Sequence, residues 1–301
     1  MHKGKGIVFT GCSHTWGGGL EFYPPFENIP NHKRFFYDEK NISFAIMKFI
    51  QSNRFSRLVA DHFGMWEVNR HSNGGSDDGS IDFLKMIFSL GHWKFNDIPT
   101  TFTHLIEQRY NFDEIEYVIF QLTDPFRNNI VYFNNEMVNL NIAAVRYRDW
   151  SIENNINNFK DKISDDTFEK LFKFYTDNFS SWKEMEDYFV KQNLDLIKKL
   201  FLELEENGVK CRIWTWQFEY VPFLKEDEYF NKRYIKLFYD NKEFDSLVHL
   251  MQYNPKFMIS KSDFRINGEV VQDDHQTIEC HKVTANSIIR FLENEQHQPI
   301  I

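Results

Sequence analysis

Two short stretches of the 301-residue chain carry residue types capable of nucleophilic chemistry. The first is Gly11-Cys12-Ser13-His14-Thr15-Trp16-Gly17-Gly18-Gly19, a small-residue loop that follows an apolar run and sets a serine on a tight turn. Such a serine is a nucleophile once a nearby base takes its proton. The alternative is an ordinary glycine-rich turn with an idle serine. A phosphate-cradling loop would continue Gly-Lys-Ser/Thr, and Gly19-Leu20-Glu21 stands there instead. An α/β-hydrolase elbow needs Gly two places after the serine, where the chain has Thr15. The second stretch is Val271-Gln272-Asp273-Asp274-His275-Gln276-Thr277. In extended backbone, side chains alternate sides, so Asp273 and His275 project together and Asp274 points away. A carboxylate so placed holds the imidazole Nδ1–H and leaves Nε2 for a serine. Taken alone, Asp-x-His fits a surface loop or a helix N-terminus equally well.

Other chemistries find less support. Asp273, Asp274, His275, Cys280 and His281 crowd together in sequence, but adjacent Cys280 and His281 make a poor zinc-ligand spacing. His281 also falls on the apolar stripe of a helix, so it reads as a packed histidine, and no metal or organic cofactor is expected. The three cysteines, Cys12, Cys211 and Cys280, are odd in number and widely spaced, which suits a reducing compartment rather than a disulfide framework. A net charge of -9 offers no grip on phosphate backbones or anionic lipid, so neither nucleic acid nor membrane is an expected partner. Met1–Gly6 leads straight into Ile7–Thr10 without a signal-peptide core, and no stretch reaches the roughly 20 apolar residues of a membrane span. The expectation is a soluble, cytoplasmic protein.

The elements that must position these residues alternate between short apolar runs and longer helical patterns, the signature of an α/β domain with a mostly parallel sheet. Strands are expected at Ile7–Thr10, Met65–Val68, Tyr117–Leu122 and Val209–Trp216, with a weaker fifth near Phe257–Ser260. Trp214 and Trp216, two apart, share one strand face and are expected against a helix. Helices are expected from about Ser43 to Phe63, from Trp182 to Glu206 with a Ser181/Glu184 capping box and a Gly208 stop, and from about Thr277 onward. The last carries Ile278, His281, Ala285, Ile288, Ile289 and Leu292 as its inward stripe. Two stretches break the alternation and read as insertions into a single 1–301 domain: residues 21–41, rich in aromatics (Phe22, Tyr23, Phe26, Phe35, Phe36, Tyr37), and 128–177, rich in Asn and Asp with a helix near 166–175. The aromatics of the first form either a wall over the site or a small core of their own.

The order and spacing of the motifs resemble the SGNH (GDSL) hydrolase family. Its nucleophile block is matched by Gly11-Cys12-Ser13 with Thr15-Trp16-Gly17 following. Its second block, an Asn with an oxyanion-hole Gly five places on, is matched by Asn69 and Gly74, and its last block by Asp273, His275 and the turn and helix beyond them. Cys12 stands where most members have Asp, a substitution associated with phage-encoded relatives. The third block departs further. Gln121-Leu122-Thr123-Asp124 replaces the usual Gly-x-Asn-Asp, leaving Thr123 in place of an oxyanion-hole Asn. The resemblance implies a flavodoxin-like three-layer α/β/α sandwich with a mostly parallel five-stranded sheet. It also implies a catalytic triad of Ser13, His275 and Asp273, and an oxyanion hole from Ser13, Gly74 and the Thr123 region. His14, Asp124 and Arg127 are candidates for the pocket, with Gln121 or Arg127 as substitute oxyanion donors. The implied activity is removal of an acyl group, acetyl for example, from a carbohydrate or other small-molecule ester. A transferase using the same triad and an inactive member that binds a glycan or protein are the alternatives.

Overall fold

A computed structural model describes residues 4–23, 44–69, 76–90, 109–125, 130–133, 136–139, 173, 176–266, 268–271 and 273–296. The short apolar runs form one parallel sheet. Its strands are β1 (Gly6–Thr10), β2 (Trp66–Asn69), β3 (Ile115–Leu122) and β4 (Lys210–Thr215), in spatial order β2-β1-β3-β4. The runs are nearly continuous in apolar character because helices cover both faces. The helices that concern the sheet and the site are α1 (Ser13–Trp16), α2 (Phe44–Asn53), α3 (Phe55–His62), α4 (Asp77–Ile87), α5 (Trp182–Glu206), α6 (Leu247–Tyr253) and α7 (Ile278–Gln296); two short ones, Val221–Glu226 and Glu228–Asn231, follow β4. On one face Leu84 and Ile87 of α4, with Ile197, Phe201 and Leu204 of α5, pack on Val8, Val118, Phe120 and Ile213. On the other, Val59 of α3, Leu250 of α6 and Ile288 and Leu292 of α7 pack on Ile7, Phe9, Ile119 and Trp214. Each such side chain contributes about 1.5–3 kcal/mol by leaving water.

Three departures from expectation have local causes. Among the described residues the sheet has four strands, not five. Beyond β4 only Tyr234 pairs, in a one-residue parallel bridge to Ile213. The segment expected as the fifth strand, Phe257–Ser260, lies in 3-10 turns (Pro255–Phe257 and Ile259–Lys261). Pro255 lacks a donor, Phe257 and Met258 N–H close local turns on the Asn254 and Pro255 carbonyls, and Ile259 and Ser260 pair with the stretch carrying Asp273 and His275. Ile259 N–H donates to the His275 carbonyl (3.0 Å) and Ser260 N–H to that of Asp273 (2.8 Å). The helix expected over 43–63 breaks at Arg54, which turns extended so that its guanidinium meets Glu67 of β2 in a bidentate, buried ion pair at 2.9 Å on both arms.

Ser181 caps α5 by accepting from Glu184 N–H (3.2 Å), while the Glu184 carboxylate accepts from Ser180 N–H (2.8 Å), one residue outside the expected box. The described part of the second insertion includes an antiparallel hairpin, Ile130–Phe133 with Glu136–Asn139. The helix expected near 166–175 lies outside the described residues except for Lys173, as does the first insertion beyond Tyr23. No helix among the described residues is long and apolar enough to cross a membrane.

Candidate active site

The serine turn is shaped from below by Gln121 of β3. Gln121 Oε1 accepts from Cys12 N–H (3.2 Å) and from the Thr15 hydroxyl (2.5 Å), so the carboxyl end of one strand clasps the loop leaving its neighbour. Gly11 is required here, because its φ is +153° and a Cβ would sit on Gln121 Oε1 and Thr15 Oγ1. Thr15 and Trp16 N–H close the turn on the Cys12 carbonyl (3.0 and 3.2 Å), and Asn69 Nδ2 donates to the Thr15 carbonyl (2.9 Å) and to Ser56 Oγ (2.7 Å). Ser13 thus opens α1 at the carboxyl end of β1, where open parallel sheets place their sites.

The Asp-x-His stretch arrives at this turn from 262 residues away in sequence. His275 Nε2 lies 2.7 Å from Ser13 Oγ, and His275 Nδ1 lies 2.9 Å from Asp273 Oδ1. The same Asp273 oxygen accepts the His275 backbone N–H (2.8 Å). Because a carboxylate only accepts, Nδ1 carries the ring proton and Nε2 is left to accept from the serine hydroxyl. Side-chain exposures of 17% for His275 and 12% for Asp273 leave the pair within reach of a small molecule. Asp274 is exposed on the other side, accepting from the Ser260 hydroxyl (2.8 Å).

Gly18 and His14 pack against the imidazole. Gly18 lies beneath it, where a Cβ would come within 2.8 Å of His275 Cδ2. His14 is buried against it with ring centroids 4.9 Å apart, and Trp216, just past β4, backs His14 at 5.0 Å. Trp216 also packs against the cluster in which Trp214 is buried, beside α3, α6 and α7, as expected of both. Glu21 is buried nearby, and burial, with the Asp273 charge adding to it, pushes its carboxyl up to about 8. His281 is fully buried and stacked on Phe55, whose N–H it accepts through Nδ1 (3.4 Å). Burial, reinforced by His275, lowers its pKa to about 3, so it is neutral. Cys280 is buried beside it with its thiol pushed up to about 12. Among the described residues no group of three or more His, Cys, Asp or Glu converges on a point.

Across the sheet the third-block residues sit in a buried network that spacing alone did not reveal. Asp77 Oδ1 accepts both Thr123 N–H (2.8 Å) and the Thr123 hydroxyl (3.0 Å), and Asp77 Oδ2 accepts from Tyr220 OH (2.5 Å), which itself accepts from Asn193 Nδ2 (2.8 Å). Thr123 is wholly buried and its one hydroxyl proton is directed at Asp77, a geometry at odds with its expected role as an oxyanion donor. Burial raises the Asp77 carboxyl to about 6 against these three donors and drives the Tyr220 phenol well up. Asp124, next in the chain, is also buried. Gly74 and Arg127 lie outside the described residues. In sequence Asp77 is indistinguishable from the acids that ordinarily open a helix, following the Ser76 cap.

No protein-family model matches the chain, and no curated protein matches it. Among solved structures, the fold is similar to that of an acetyl xylan esterase, Est2A, from the rumen bacterium Butyrivibrio proteoclasticus. The identity is 12% and the TM-score 0.43, and the match covers 97% of this chain and 64% of that one, so the chain spans less than two thirds of that protein's length.

Proposed function

We propose that the protein is a serine ester hydrolase in which Ser13 is the nucleophile, His275 the base and Asp273 its orienting acid. The observation that carries this reading is the continuous line from Asp273 Oδ1 through His275 to Ser13 Oγ, at 2.9 and 2.7 Å. Ser13 Oγ attacks the ester carbonyl as His275 Nε2 takes its proton. The tetrahedral adduct then collapses, the bond from the acyl carbon to the alkoxy oxygen breaks, and His275 gives that proton to the departing alcohol. Water attacks the acyl-serine with His275 again as base, the acid leaves, and Ser13 regains its proton. Asp273 stays ionised throughout and stabilises the imidazolium.

The backbone N–H groups of Ser13 and Gly74 are the proposed oxyanion donors, with the Thr123 region third. Thr123 completes that set only by giving up its hydroxyl bond to Asp77, and one missing donor costs about 10²–10³ in rate. The proposed substrate is an acyl ester, such as an acetyl ester, of a carbohydrate or other small molecule. A second reading, a binding protein of the same fold that does not turn over, is favoured by this one observation on Thr123. Incubation with a serine-directed fluorophosphonate, peptide mass mapping and an assay of acetate release decide between them. Label on Ser13 together with acetate release supports the enzyme. An unlabelled Ser13 removes it and leaves the binding protein.

A further inference from the structure

The loop after β4, Trp216-Gln217-Phe218-Glu219-Tyr220, crosses the carboxyl end of the sheet and joins the two sides described above. At one end Trp216 lies against His14, which lies against His275. At the other, Tyr220 OH donates to Asp77, which holds Thr123. The turn between is tied down, since Gln217 N–H donates to Thr215 Oγ1 (3.1 Å) and Thr215 Oγ1 to the Gln217 carbonyl (2.8 Å). Val248 N–H of α6 donates to the Trp216 carbonyl (2.9 Å), which fixes the start of α6 beside the loop.

Phe218 sits at the middle of this crossing and is 48% exposed. Its ring is nonetheless not loose. It stacks on the half-buried imidazole of His249 in α6, with centroids 6.3 Å apart and planes 23° from parallel. A ring packed on His249 yet 48% exposed, on a braced loop whose first residue touches His14, offers aromatic surface to whatever enters from solvent. Leu196 and Leu202, exposed on the outer side of α5, have no such placement.

We infer that Phe218, backed by His249, is a subsite for a flat ring in the substrate, an aryl group or the apolar face of a pyranose, carried in the part of the ester away from the scissile bond. Its being a substrate subsite rests on the esterase reading; its binding of rings does not. Aromatic faces bind such rings by offset stacking and dispersion, and a single such contact changes affinity by about three- to tenfold.

The test has two arms that separate these claims. In the first, Ser13→Ala protein is titrated with 2-phenylethanol and, separately, with methyl glucopyranoside, following tryptophan fluorescence and ligand NMR line widths. Saturable binding of either, weakened three- to tenfold by Phe218→Ala and restored by Phe218→Trp, supports the subsite and shows which ring it takes. Absence of binding by both, or binding indifferent to Phe218, overturns it. In the second arm the active protein hydrolyses 2-phenylethyl acetate, an acetylated methyl glucopyranoside and ethyl acetate. Phe218→Ala is expected to raise KM three- to tenfold for a ring-bearing ester, with kcat and the ethyl acetate rate within twofold. An equal fall on ring-bearing and ring-free esters overturns the assignment. If no ester is cleaved and Ser13 takes no fluorophosphonate, the esterase reading fails while the first arm still decides the ring site.

Discussion

Two aspartates stand at the carboxyl end of the sheet, one on each face, and their partners give them opposite properties. Asp273, just before α7, spends its Oδ1 on an imidazole and is partly exposed. Asp77, at the start of α4, is wholly enclosed and meets only hydroxyls and an amide N–H. A carboxylate that holds the Nδ1–H of an imidazole whose Nε2 faces a hydroxyl can support proton transfer. One beside a threonine and Tyr220, whose phenol is driven well up by burial, has no such base to orient. On the proposed mechanism the chemistry falls to the Asp273 side and architecture to the Asp77 side, where Thr123 and Tyr220 fasten two loops to α4.

The largest test of that division removes the nucleophile. Ser13→Ala is expected to lower kcat for an acetyl ester on the order of 10⁶-fold without changing the denaturation midpoint appreciably. An unchanged rate in this variant breaks the comparison at its root. Asp273→Asn is expected to cost about 10⁴-fold by stabilising the wrong His275 tautomer, with KM little altered. A loss of only a few-fold there assigns the imidazole's orientation to Gly18 and His14 instead, which pack against it.

The two sides also differ in how far they can be read from sequence. Asp273 and His275 are legible because they are local, as i and i+2 in extended chain share a side whatever else the protein does. β1, β3 and β4 are legible because a sheet covered on both faces writes itself as unbroken apolar runs. The break at Arg54 is not, since it exists for a carboxylate 13 positions away on β2 that periodicity does not see. The Asp77 network is hidden for the same reason. Its members lie 46 and 143 positions apart, and Thr123 looks like a poor substitute for an Asn until the acid that engages it is in view. Phe257–Ser260 is apolar enough to suggest a strand, yet its backbone groups are shared between local turns and the Asp273–Thr277 stretch it supports.

The Asp77 side makes a prediction about stability rather than rate. Its carboxyl is pushed from an ordinary 3.8 up to about 6, so the folded state holds this proton more firmly than the unfolded chain. Wild-type stability from this group therefore falls as pH rises from about 4 to 6, by on the order of 3 kcal/mol. Asp77→Asn lacks that loss. The difference in urea-unfolding free energy, variant minus wild type, is expected to grow by that amount in the variant's favour between pH 4 and pH 7. A difference that stays constant with pH returns Asp77 to the status of an ordinary helix-opening acid.

The smallest effect is the sharpest on the boundary between the two sides. Tyr220→Phe removes one donor from Asp77 and leaves Asn193 Nδ2 without the phenolic oxygen it meets at 2.8 Å. The expected cost is about 1–3 kcal/mol, the range for unsatisfied buried polar groups. It should be larger at pH 8 than at pH 5, because a hydrogen bond to the ionised carboxylate is worth more than one to the protonated acid. Ester hydrolysis by the folded variant is expected to stay within twofold of wild type. A fall in kcat of tenfold or more, with stability recovered at low temperature, instead makes the Tyr220–Asp77–Thr123 line part of the site, with the hold of Asp77 on Thr123 needed for turnover.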